Sequence, residues 1–214
     1  MKRRTLGIYL SELDFQSRCA LNGFASLEKS YQQMRDNGIK QVRSEEIPTD
    51  DFFVHQRVLM DEFFRTIQSI LTHASNISRL LWPPRPLRRG LSEEKYRALC
   101  NTVRIRGEIL RTTLSVPIEH PLADRQARDD LDHFDARIDE WANEPDRNWI
   151  NLIVGPLNGI QGLPDRDRIR WVDPTTWTVV VWGREYNFKS LAQEIKQLQD
   201  SCVRERRSLD EPSV

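Results

Sequence analysis

The chain has 214 residues and a mass of 25.2 kDa, which suits one large domain or one domain with a small appendage. Hydrophobic residues make up 38% and charged residues 30%, with 32 basic groups balancing 32 acidic ones. That balance excludes a disordered polyelectrolyte and a surface coated with basic residues for non-specific nucleic-acid binding, so any anion site has to be local.

Cys19, Cys100 and Cys202 are odd in number and widely spaced, so they form neither a disulfide framework nor a CxxC metal knuckle. The opening MKRRTLGIYLSELDF lacks the apolar run and small-residue cleavage site of a secretory leader, and nothing approaches the length of a membrane span. These features predict a soluble cytoplasmic protein with no membrane partner.

Four segments carry helical periodicity. The first covers about 8–34, through Leu10, Leu13, Leu21, Phe24, Leu27, Tyr31 and Met34, and Asp36-Asn37-Gly38 is expected to end it. The second opens at Pro48-Thr49-Asp50 and runs to Leu81, where Trp82-Pro83-Pro84 removes the donors that a further turn needs. The third starts after an N-cap at Ser92 and reaches about Leu114, with Pro117 beyond it. The fourth is expected over 121–143. Four such helices in succession predict an antiparallel four-helix-type bundle over 1–145.

After Pro145 the pattern changes. Pro156, Gly159, Gly162 and Pro164 mark a loop, and short strands are predicted at 169–172, 177–182 and 185–188, joined by turns at Asp173-Pro174 and Gly183-Arg184. The middle strand, WTVVVW, is too continuously apolar to face water on both sides and is expected to pack on the helices. A last helix at 190–206 and a frayed end, SLDEPSV, complete the 146–214 appendage: loop, β-meander and C-terminal helix.

The fourth helix carries the informative constellation, ARDDLDHFDARIDEWA at 127–142. Ala127, Leu131, Phe134, Ile138 and Trp141 form a core stripe at helical spacing. On a regular helix Arg128, Asp129, Asp132 and His133 would share a sector about 140° wide, roughly opposite that stripe. Arg128-Asp129, three further residues and His133 resemble the motif of the HEPN domain, a helical-bundle family with many metal-independent ribonucleases. Its motif is an arginine and a histidine four to six residues apart, with a polar residue (Asn, Asp or His) directly after the arginine; Arg128 and His133 have four residues between them. The wider phrase DLDHFDARIDEW is similar to bacterial proteins of the same fold. The resemblance covers about 5–143 and leaves the β-rich tail unassigned.

The resemblance implies a HEPN-like fold and a chemistry that needs no metal and no cofactor. RNA carries its own nucleophile, the 2′-hydroxyl. His133 would act as general base or acid, Arg128 would neutralise charge building on the phosphate, and Asp129 would orient a neighbouring side chain. One copy supplies a single motif histidine while cleavage needs a base and an acid, so the resemblance implies a homodimer with two motif faces meeting. An endoribonuclease of toxin or phage-defence type follows, with RNA as substrate and an antitoxin or defence-system protein as partner. The alternative is a non-catalytic dimeric module whose charged helix face binds a protein, because Arg128–Asp132 and Asp129–His133 are also ordinary i,i+4 pairs.

Other features carry less. PPRPLRRG places Arg85, Arg88 and Arg89 in a proline-stiffened loop, a candidate phosphate grip beside an RNA site but more ordinarily a structural connector with solvated arginines. Arg104, Arg106 and Arg111 are read as a solvated helix face. The tryptophans are read as packing residues, with Trp171, Trp177 and Trp182 on strands; Trp82 and Trp149 stay open. His73 is expected on a helix surface, and His55, His73 and His120 have no metal-ligand spacing. Cys100 lies on an apolar pattern. GPLNGIQG at 155–162 lacks the lysine of a phosphate loop.

Overall fold

The computed structural model describes residues 1–210. It is mainly helical, with a small sheet and a C-terminal helix. In chain order come α1 (Arg3–Ser44), α2 (Asp50–Leu81), α3 (Glu93–Leu114), a 3₁₀ turn (Pro121–Ala123), α4 (Gln126–Asp132), α5 (Phe134–Ala142), β1 (Ile153–Val154), a second 3₁₀ turn (Asp165–Asp167), β2 (Arg170–Asp173), β3 (Thr178–Val181), β4 (Arg184–Asn187) and α6 (Phe188–Asp210). No helix among the described residues is long and apolar enough to cross a membrane.

Two compact units emerge. One comprises Met1–Leu21, Thr72–Arg125 and Gln193–Val214; the other comprises Asn22–Leu71 and Gln126–Ala192. Segments of α1, α2 and α6 belong to each, and the second unit draws residues from both sides of position 145.

The starts of α2 and α3 follow the sequence, whereas α1 begins five residues earlier than expected, at Arg3. Thr49 accepts from the Phe52 amide at 3.3 Å, and Ser92 caps α3 by accepting from the Lys95 amide at 3.4 Å. The ends differ more. α1 passes straight through Asp36-Asn37-Gly38 and stops only at Ser44, followed by Glu45 at φ 56°. A single Gly costs a helix about 1 kcal/mol, too little to end one whose flanks propagate well. Of the end expected to fray, 208–210 continue α6, and 211–214 lie outside the described residues.

In the first unit, Leu10, Leu13 and Ala20 of α1, Ile77 and Leu81 of α2, Leu110 and Leu114 of α3, and Ile195, Leu198 and Cys202 of α6 are buried. Polar contacts fix the helix pairs. Gln16 Oε1 meets His73 Nδ1 at 2.7 Å, so His73 is half-buried at the α2 surface and spends one ring nitrogen on α1. Asp14 accepts from Gln199 at 3.5 Å and from Arg206 at 3.4 Å. A Cβ on Gly107 would lie 2.6 Å from Pro83 Cδ and 2.8 Å from the Leu81 carbonyl oxygen, so α3 crosses the end of α2 at a point only glycine permits.

In the second unit the sheet order is β1-β2-β3-β4, with β1 parallel to β2 and the other neighbours antiparallel. The expected meander is β2, β3 and β4; β1 is additional. The register pairs Arg170 with Val181 and Val172 with Val179. Because successive side chains alternate faces, these four share one face. Val172, Val179 and Val181 join Leu27, Met34, Phe63, Ile67, Ile70 and Phe188 in a common core, so the apolar strand does pack on helices. Trp177 and Trp182 are not strand residues. They lie in turns at φ 54° and φ 50°, and Trp182-Gly183 forms the two-residue hairpin loop whose twist suits right-handed strands.

Candidate functional site

The expected fourth helix is broken. His120 Nδ1 accepts from the Leu122 amide at 3.2 Å and caps a 3₁₀ turn, Asp124 is extended, and α4 and α5 are separated by His133 at φ −102°, ψ 38°. Hydrogen bonds still bridge the junction: the His133 amide donates to Asp129 O at 3.0 Å, and the Arg137 amide donates to His133 O at 3.1 Å. The junction is therefore a local deformation. Aspartate and histidine are weak helix formers, so outside contacts on either side readily displace the backbone here.

Asp130 provides the strongest of those contacts. It lies inside the motif and is 2% exposed. Its carboxylate accepts from Arg137 Nε at 3.0 Å and from Arg184 Nη1 of β4 at 3.0 Å. Hydrogen bonds to Glu140 and Asp130 raise the pKa of Arg137 above its usual value. A recess of about 140 Å³ next to Asp130 is lined mostly by charged residues, Arg147 and Arg166 among them, together with Trp182. Arg147 is held in turn by Asp167 at 2.5 Å and Glu144 at 2.7 Å.

The motif residues themselves sit together in the second unit. The Arg128 side chain is only 17% exposed; its guanidinium pairs with Asp132 and lies 3.7 Å from Asp129. Its Nε is buried without a hydrogen-bond partner. Asp129 and His133 are exposed, and the imidazole makes no side-chain cap bond to the helix it precedes. The cluster thus holds one cation between two carboxylates, with an accessible imidazole on the adjacent turn. Opposite, the stripe packs as expected: Ala127 is buried and Leu131 is partly buried against the core. Phe134 and Trp141 enter an aromatic cluster with Trp149 and Trp182, with centroid separations of 5.0–6.2 Å. Packing therefore accounts for Trp149 as well.

The three loop arginines belong to the first unit. Arg85 lines a groove of about 590 Å³ with Trp82, Tyr96, Cys100 and Asn101. Arg88 instead serves the local turn, donating to Leu91 O at 3.3 Å and lying 3.4 Å from Glu93. Arg89 is exposed in a left-handed turn conformation, φ 40°. Arg106 and Arg111 are not a solvated face, because they donate to the Arg79 and Leu81 carbonyls that α2 leaves unpaired at its end. Trp82 stacks on His120 at 5.7 Å, and His120 Nε2 lies 2.9 Å from Glu194. With Nδ1 accepting a backbone N–H, Nε2 carries the proton and donates to Glu194.

Among the described residues no group of three or more His, Cys, Asp or Glu side chains is placed to hold a metal ion. No family model matches the chain, and neither curated proteins nor solved structures give a match. The site has to be read from its own chemistry.

Two groups escaped the sequence reading. Arg137 stands seven positions after Asp130, which is two helical turns, so their pairing was visible in principle. Arg170 alternates with Val172 on a strand, and that period-2 position placed a cation on the core side.

Proposed function

We propose that the chain is a HEPN-like protein whose Arg128 and His133 support metal-independent cleavage of RNA in a homodimer, in a cytoplasmic toxin or defence system. The observation that carries this reading is the exposed imidazole at the α4–α5 junction, following the turn that holds the half-buried Arg128. An imidazole changes charge near neutral pH and can move the 2′-hydroxyl proton or protonate the leaving oxygen. The Arg128 fork matches two phosphate oxygens, and the Asp132 and Asp129 carboxylates hold it ready. A second copy would supply the second imidazole, and an antitoxin or other defence-system protein would restrain the activity.

One observation favours a different reading. Asp132 already occupies the Arg128 fork, so the patch is net acidic as it stands. That suits a non-catalytic dimeric module that docks a basic protein surface through this face.

One experiment separates them. Purified wild type, His133→Ala and Arg128→Ala are incubated with RNA in EDTA. Cleavage that leaves 2′,3′-cyclic phosphate ends and is lost in both variants supports the nuclease. Equal degradation by all three proteins marks a contaminant and removes the catalytic reading, leaving the module.

A further inference from the structure

On the core-facing side of the second unit's sheet, Arg170 shares its face with Val172, Val179 and Val181. Valines belong there; a guanidinium does so only in part, and Arg170 is half-buried, its charge met by water or by a bound anion. No carboxylate among the described residues pairs with Arg170, and its protein contact is the Phe134 ring, 4.4 Å from the guanidinium carbon to the centroid. Burial pushes its pKa down, with no ion pair acting in the opposite sense. A guanidinium nevertheless stays charged in a protein, so an uncompensated cation remains on the wall.

That wall bounds a cavity of about 250 Å³. Phe64, Ile67, Leu131, Leu152 and Val179 make most of its surface apolar. The other charges facing it are Arg65, already paired with Glu62 at 2.5 Å, and the exposed Asp61. We propose that this cavity is a binding site for a small organic monoanion, a carboxylate with an apolar body, with the carboxylate held by Arg170 and the body against Phe64, Ile67 and Leu131.

Three features select that class. The planar fork of a guanidinium binds a carboxylate through two parallel hydrogen bonds, and the Arg170 guanidinium carbon lies over the Phe134 ring at 4.4 Å. A single unpaired cation neutralises one negative charge, whereas a phosphate dianion would leave a second charge facing Asp61. The volume falls below the roughly 300–1,000 Å³ of sites for drug-sized molecules, so the ligand has the size of benzoate or a short fatty acid.

The probes are benzoate, hexanoate and inorganic phosphate, titrated into the full chain by calorimetry. Saturable binding of benzoate or hexanoate is expected, with phosphate at least tenfold weaker. Arg170→Met should weaken the preferred carboxylate tenfold or more, Arg170→Lys less, and Asp61→Asn should tighten it. Should Arg170→Met fail to fold, the wild-type protein still decides: the Arg170 Nε–H resonance has to move on saturation with the carboxylate. No saturable binding, phosphate binding as tight as the carboxylates, unchanged binding in a folded Arg170→Met, or an unmoved resonance would overturn the proposal. None of these readouts depends on ribonuclease activity.

Discussion

Asp130 Oδ2 accepts a hydrogen bond from Arg184 Nη1 across 54 positions of sequence, at 3.0 Å, and so ties the motif helix α4 to strand β4. Its other oxygen holds Arg137 of α5. One buried carboxylate thereby fixes both helices that flank His133, and the orientation of the candidate site depends on it.

Removing that carboxylate should be expensive. Asp130→Ala is expected to destabilise the protein by about 3 kcal/mol, the low end for a broken buried ion pair, because water reaches both arginines. Arg184→Ala leaves Arg137 in place and should cost only about 1–2 kcal/mol. Urea unfolding of the two variants checks the ratio.

Two glycines should respond with opposite signs. A Cβ on Gly183 would meet the Asp165 carbonyl oxygen at 2.7 Å, and the residue sits at φ +77°. Gly183→Ala should therefore cost about 2 kcal/mol or more. Gly38 lies inside α1, where an added Cβ would find open space with no atom within 4 Å, and Gly38→Ala should stabilise by about 0.5–1 kcal/mol. Thermal melts of both variants against wild type test the pair.

Acid should weaken the fold through Asp167. This carboxyl is fully buried. Burial pushes its pKa up, but the hydrogen bonds from Arg147 and Asn148 outweigh burial and leave it below the ordinary range. A carboxyl depressed in the folded state contributes stability that is present above the unfolded pKa, near 3.9, and is lost as pH falls through the folded value. The urea midpoint should drop below about pH 4, and Asp167→Asn should lower stability at pH 7 while flattening that drop.

The three free thiols should differ in reactivity. Burial, with Asp14 nearby, pushes the Cys202 thiol up to about 12, and the side chain is inaccessible. Cys19 and Cys100 are partly exposed. Native protein should thus react with Ellman's reagent at no more than two sites, and Cys202 should label only in denaturant.

Asp132 tests the candidate site directly. Its carboxylate holds the Arg128 fork that a phosphate would need. In the nuclease reading, Asp132→Asn frees that fork and should lower the KM for RNA about two- to fivefold, the range of one exposed ion pair. In the module reading the same variant should weaken capture of the protein partner and leave RNA unaffected.

Local signals were enough for most of the chain. Thr49 and Ser92 announce helix starts because a side-chain oxygen can satisfy an amide that a helix begins without. The meander strands follow from short runs bounded by turn residues, of which only β3 is continuously apolar. β1, with two residues beside β2 in parallel, carries no alternation to read. The motif stripe was legible; the deformation at His133 was not, because nothing within α4 shows that Asp130 is held by an arginine more than fifty positions later.

Sequence alone determined the helical character, the small antiparallel meander and the grouping of Arg128, Asp129 and His133, since each depends on spacing over a few residues. Tertiary structure decided which charges are buried and which remain open. Asp130 is held by Arg184 of β4 as well as by nearby Arg137, Asp167 is held by Arg147, Arg128 is clasped by its own neighbours, and Arg170 lies on the core face without a carboxylate. Whether a charge is compensated depends on the three-dimensional neighbourhood around it, and spacing along the chain does not encode that neighbourhood.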